Sequence, residues 1–139
     1  MIESLDVFEE RLNTLDPDDD EFELHVDELV EELSPALLES IYPVAFRFFE
    51  SHPEHDCGMP GTLVHVMEEY YPNYIDELIA SILRTPSTNT VLMANRILYS
   101  DIDDELRGRL LQCLREVVEC NDASAFVQDE AKRYLERHT

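Results

Sequence analysis

Positive charge is what this chain has least of. Its 139 residues carry ten Lys and Arg against 32 Asp and Glu, a formal net charge of −22. Such a surface repels phosphate backbones and anionic lipid headgroups, which argues against nucleic acid and membranes as partners. Glycine is scarce too, at three residues. So few glycines cannot turn a series of tight hairpins, which argues against an all-β fold, nor can they build a phosphate-cradling loop. Cysteine is limited to Cys57, Cys113 and Cys120, an odd set without CxxC, so reduced thiols in a cytosol fit better than a disulfide framework. No apolar run approaches the roughly 18 residues of a membrane span. The opening MIESLDVFEERL has neither the basic region nor the continuous apolar stretch of a signal peptide. The expectation is a soluble, cytoplasmic protein.

Hydrophobic residues are plentiful, at 44%. That is too many for a disordered acidic tail, and the length suits one domain, 1–139, with a core of its own. The charge is distributed unevenly. Residues 1–56 hold 18 acids against Arg11 and Arg47, a net of −16, whereas Cys57 to Thr139 hold 14 acids against eight bases, a net of −6. Like charge at this density opposes compaction, and a basic macromolecular partner is the simplest thing to offset it.

The periodicity is helical throughout. Leu5, Phe8, Leu12 and Leu15 form one stripe, which Asp16-Pro17-Asp18 breaks. A second helix is expected from Asp20, with Glu23 as a capping-box partner and Phe22, Val26, Leu29, Val30 and Leu33 inward. Ser34-Pro35 starts a third segment, which Pro43 should kink or restart before it ends near Ser51. His52 to Gly61 reads as a loop. Helices follow over about 62–70, 74–84, 89–99, 103–120 and 124 onward, with caps expected at Ser87-Thr88, at Asp101 or Asp103, and at Ser124. Cys113 and Cys120, seven apart on one helix, are expected to face the core. The sum is an all-α domain of about seven to eight mostly short helices, arranged as stacked antiparallel pairs in the manner of an α-solenoid.

Candidate chemistry is thin. Asp16, Asp18 and Asp20 alternate like the start of a calcium loop, but Glu21 stands where glycine is needed and Asp27 where glutamate is needed. His52, His55 and Cys57, in HPEHDC, could supply three metal ligands, yet no second cluster completes a tetrahedral site unless His65 folds in. No GxSxG occurs. The expectation is therefore no enzyme, no metal and no cofactor. His65 and Asn95, polar residues inside apolar patterns, are expected to be buried and satisfied by nearby backbone. Arg84 and Arg96 are expected to pair with acids such as Glu68, Glu69 or Asp101.

From Gly58 to Asp101 a spaced pattern stands out: Gly58, Pro60-Gly61, Leu63-Val64-His65, Glu68, Tyr74, Leu78, Ser81, Arg84, Pro86, Thr90-Val91, Met93 and Asn95-Arg96-Ile97. This segment, about a third of the chain, resembles bacterial immunity proteins of polymorphic-toxin and contact-dependent growth-inhibition systems. The resemblance implies a small helical cytosolic protein that binds and neutralises one toxin domain, usually the one encoded beside it. In that reading the shared pattern marks the scaffold, while specificity lies elsewhere on the surface.

The charge and the resemblance converge on a basic toxin domain, such as a nuclease, whose phosphate-gripping surface an acidic inhibitor would cover. Partner-binding residues are expected at Asp18, Asp19, Asp20, Glu21, Glu23, Asp27, Glu28, Glu31 and Glu32, joined by Asp101, Asp103, Asp104 and Glu105. Glu130 and Glu136, on the last helix, are expected to be solvated acids outside that surface. The alternative function is an acidic adaptor or nucleic-acid mimic in a host pathway.

Overall fold

A computed structural model of the chain describes residues 1–56 and 60–139. Cys57 and Gly58, a candidate ligand and the first residue of the family-like pattern, lie outside the described residues. Among those described are eight α-helices: α1 (Leu5–Leu12), α2 (Phe22–Glu32), α3 (Tyr42–Ser51), α4 (Thr62–Glu68), α5 (Ile75–Arg84), α6 (Thr88–Leu98), α7 (Asp104–Glu119) and α8 (Ala125–His138). A 3₁₀ segment, Pro35–Ser40, precedes α3. Its separation from α3 is the restart expected at Pro43, which sits in the first turn of α3, where its missing N–H costs nothing. The one β-type feature among the described residues is a parallel bridge between Ile2 and Leu33.

The fold is organised around α6. Nine of its eleven residues are buried, and it packs against α3, α5, α7 and α8. A helix buried on nearly every side cannot rely on solvent to satisfy its first N–H groups. The Ser87 side chain accepts from Thr90 N, and Ser87 N donates to Thr90 Oγ1, each at 3.1 Å. Thr fills the place where a capping box more often carries a carboxylate, since a buried charge here would lose its hydration.

α7 and α8, both packed on α6, run antiparallel to each other. The three residues 85–87 join α5 to α6. Gln128, early in α8, donates to the Val118 and Cys120 carbonyls at the end of α7, while Arg107, early in α7, reaches the Leu98 and His138 carbonyls. Within α5 the buried Ile75, Leu78, Ile79 and Ile82 recur at helical spacing, and Asp76, Glu77 and Arg84 face out. Aromatic contacts join the N-terminal helices to the rest: Phe22 stacks on Phe48 at 5.8 Å, and Phe46 meets the edge of Tyr74 at 6.5 Å.

Several side chains lie elsewhere than periodicity predicts. α1 ends at Leu12, and Leu15 falls in the following turn. α2 begins at Phe22 rather than Asp20, and Glu23 makes no capping box. Cys113 is buried, but Cys120 is the half-buried C-cap of α7, because Asn121 and Asp122 end the helix one residue after Glu119. His65 is not buried; its side chain is 59% exposed on α4. Glu130 is the reverse case, only 7% exposed, where it accepts from the Tyr134 hydroxyl at 2.9 Å and pairs with Arg133.

One position is open to improvement. A Cβ added at Gly108, on the exposed face of α7, would meet nothing within 4 Å. Gly108→Ala is expected to stabilise the protein by about 0.5–1 kcal/mol, since glycine in a helix interior loses the most backbone freedom. The change is read as a raised urea midpoint at constant m.

Candidate functional site

The acidic run occupies the turn before α2 and the outer face of that helix. Of its nine acids only Glu23 is half-buried; Asp18, Asp19, Asp20, Glu21, Asp27, Glu28, Glu31 and Glu32 are exposed. Their hydrogen bonds divide them. Thr62 N and Oγ1 both donate to Glu23 Oε2 at 3.1 Å, and the same hydroxyl lies against Asp27. These two acids therefore anchor α4 to α2. Glu32 is bound by Arg11 at 2.7 Å. His25 lies between Glu21 and Glu28 at 3.8 and 3.9 Å, and Asp18 lies 3.5 Å from His55 Nε2. Asp19 accepts from Glu21 N, and Asp16 accepts from Asp18 N, both at 2.9 Å. The alternating aspartates thus fold into turns through their own backbone, the ordinary use of Asp before a helix. The side chains of Asp20 and Glu31 make no hydrogen bond or ion pair among the described residues.

A groove of about 870 Å³ opens beside this turn, with Asp16, Asp18, Glu54 and Asp122 among the residues on its walls. Its one Lys or Arg among the described residues, Arg84, is committed: Nε and Nη2 donate to Glu50 at 2.9 and 2.7 Å. Pro53, Leu83 and Pro86 supply apolar wall between the carboxylates. The walls are held by α6, whose Thr88 N donates to Pro53 O at 2.7 Å and whose Asn89 Nδ2 donates to His55 O at 3.1 Å. His52 packs its ring 4.6 Å from Phe48. Burial, and then the neighbouring His55, hold its pKa below the usual 6.5, although Asp18 and Asp16 pull the other way. An apolar wall beside carboxylates suits lysine and arginine, whose stems prefer apolar surface and whose heads prefer an anion.

His52 and His55 meet on this groove, whereas His65 sits on α4 with Nδ1 3.8 Å from Glu68, toward the other end of α6. Among the described residues no group of three His, Cys, Asp or Glu could hold a metal ion.

The second acidic group is also at that far end. Asp103 accepts from Leu106 N at 2.8 Å and caps α7, with Asp104 and Glu105 in the first turn. All three, and Asp101, are exposed. The eleven residues of α6, about 16 Å of helix, separate its N-terminus beside the groove from the loop that carries Asp101. The structure therefore does not gather the thirteen candidate acids into one patch; it places them in two.

Sequence reasoning missed Glu50, Thr62, Asp122 and the pairing of Asn95 with His138. Arg96 pairs with Glu68 as expected, at 2.6 Å, but Arg84 chooses Glu50, thirty-four residues away. Asn95 is buried, and its Oδ1 lies 2.8 Å from His138 Nε2, a side chain rather than the backbone expected. Nothing local in sequence signals these partners.

Glu50 provides a pH test of this framework. Hydrogen bonds from Arg84, and more weakly from Ser81, hold its carboxyl below its ordinary value of 4.5 despite partial burial. A carboxyl lowered by folding contributes stability above its unfolded pKa and loses it as pH falls through the folded value. Glu50→Gln mimics the protonated acid. The stability gap between wild type and variant is therefore expected to be full near neutrality and to close below the unfolded value of 4.5. A gap that stays constant into acid, by urea denaturation at several pH values, would show that the ion pair contributes nothing.

The fold and groove together define an all-α domain with an acidic cleft. No helix among the described residues is long and apolar enough to cross a membrane. No protein-family model, curated protein or solved structure matches the chain.

Proposed function

We propose that this chain is an inhibitor of the immunity type, which binds a basic toxin domain, such as a nuclease, and covers its active site. The observation that carries the reading is the groove at the head of α2, where Asp16, Asp18, Glu54 and Asp122 face a single guanidinium already bound to Glu50. Apart from His55, 3.5 Å from Asp18, the one permanent cation on the groove among the described residues is already bound to Glu50, so a Lys or Arg from outside would complement the remaining negative charge. The resemblance of residues 58–101 to immunity proteins supports the same partner class. Asp20 and Glu31, exposed and uncommitted, extend the negative field along α2. A surface of one sign raises the rate at which an oppositely charged protein finds it, by roughly 10 to 10³. Rapid capture suits the inhibition of a toxin that acts catalytically.

The test is co-expression with the toxin domain encoded beside this chain's gene. A complex that survives purification, with the toxin's nuclease activity abolished in it, is the expected result. An active toxin in the presence of excess folded protein would overturn the proposal.

A further inference from the structure

A second groove, of about 250 Å³, lies at the opposite end of α6 from the acidic cleft. Glu68, Tyr71, Tyr74, Arg96, Ile97 and Ser100 line it. Tyr74 is 1% exposed, yet its hydroxyl makes no hydrogen bond among the described residues. The hydroxyl is not among the fully buried polar atoms that lack a partner, so it opens onto the groove and can bond a group that enters it. Tyr71, 41% exposed, packs edge-on to Tyr74 at 6.1 Å and leaves ring surface to solvent. Glu68 is held by Nε and Nη2 of Arg96 at 2.6 and 2.9 Å, which fixes its carboxylate in the wall while each oxygen keeps capacity to accept again. Arg96 and Glu68 cancel within the groove, and the exposed Asp101, Asp103, Asp104 and Glu105 follow its lining residue Ser100 in the chain.

We infer that this groove receives an arginine side chain of the basic partner, its guanidinium stacked on Tyr71 and donating to the Tyr74 hydroxyl and Glu68. Arginine fits better than lysine because a planar fork can stack on a ring and donate in two directions at once. An anion would meet the net charge of −22 and the acids that follow Ser100. Exposed tyrosine is also among the residue types enriched at interface hot spots. That the partner is basic rests on the function proposed above, but the groove's preference for arginine can be measured without it.

The experiment titrates the full chain with acetyl-Gly-Arg-Gly-amide, and with its citrulline counterpart, while following side-chain and backbone resonances. The arginine peptide is expected to give saturable shifts at Tyr71, Tyr74 and Ser100, with citrulline weaker by about threefold or more. Tyr71→Ala, at an exposed ring, and Tyr74→Phe, which keeps the packing, are each expected to weaken the arginine peptide while leaving the fold unchanged by circular dichroism. Shifts centred on α2 with none at the groove, equal binding of citrulline, or indifference to both variants would overturn the inference. If the peptide binds as expected but no basic toxin is inhibited, the groove stands and the immunity function falls.

Discussion

Replacing Asp20, Glu28 and Glu31 with lysine is expected to slow association with the basic toxin domain proposed as partner by about tenfold or more, chiefly in the on-rate. Asp20, in the turn before α2, and Glu28 and Glu31 on that helix are all exposed, and reversal changes the formal charge by six units without removing an anchor of the fold. Glu28 lies 3.9 Å from His25, a contact too long and too exposed to matter for stability. Glu23 is unsuited to such a variant. Its carboxylate accepts from Thr62 N and Oγ1, so a lysine there would detach α4 and confuse lost binding with lost structure. Glu130 is equally unsuited as a control, since it is buried between Tyr134 and Arg133. Glu119 and Glu136, both exposed on the last two helices, are the better comparison. Their reversal changes net charge by four units with little effect expected on the rate. If the two variants slow association equally, the partner reads net charge rather than α2.

The largest stability effect is expected at Phe49, on α3. Its ring is 1% exposed within the single core cluster. Truncation to alanine removes its transfer free energy and leaves a cavity the surrounding helices cannot fully close, a loss of about 3–5 kcal/mol. Against a total of about 5–15 kcal/mol for a domain, that approaches unfolding. Phe126, 51% exposed on α8, serves as the contrast. Phe126→Ala is expected to change stability by less than about 0.5 kcal/mol. Urea denaturation of both variants checks the pair, and a Phe49→Ala protein as stable as wild type would contradict the packing.

The helices were legible in the sequence because their signals are local. Ser87, Asp103 and Ser124 each cap the helix that periodicity assigns to them, and Pro43 restarts a segment where its ring forbids continuation. The errors arise where a side chain's fate depends on a distant partner. Glu23 had a plausible local role as a cap, and Thr62, thirty-nine residues on, took it instead. His65 sits in the apolar string LVHVM, but α4 turns that position outward, toward Glu68. Glu130 has the sequence context of a surface acid and is buried because α8 packs that face inward, with Tyr134 supplying the hydrogen bond.

The candidate site was half legible. Charge density marked the head of α2, and the loop at His52 to Asp56 was visible as a loop. Their meeting with Pro86 and Asp122 to form a cleft depends on how α5, α6 and α7 pack, which no window of sequence contains. The same packing divides the acids: Asp101 to Glu105 follow the C-terminal end of α6, whereas Asp18 lies beside the groove at its N-terminal end.

The most direct measurement is the association rate of this protein with the basic toxin domain proposed as its partner, by stopped flow at increasing salt. At physiological ionic strength, charges are screened beyond about 8 Å. The rate is expected to fall by about tenfold or more between roughly 50 and 500 mM salt, with a much smaller change in the dissociation rate. An association rate indifferent to salt, or no association at any salt, would contradict it.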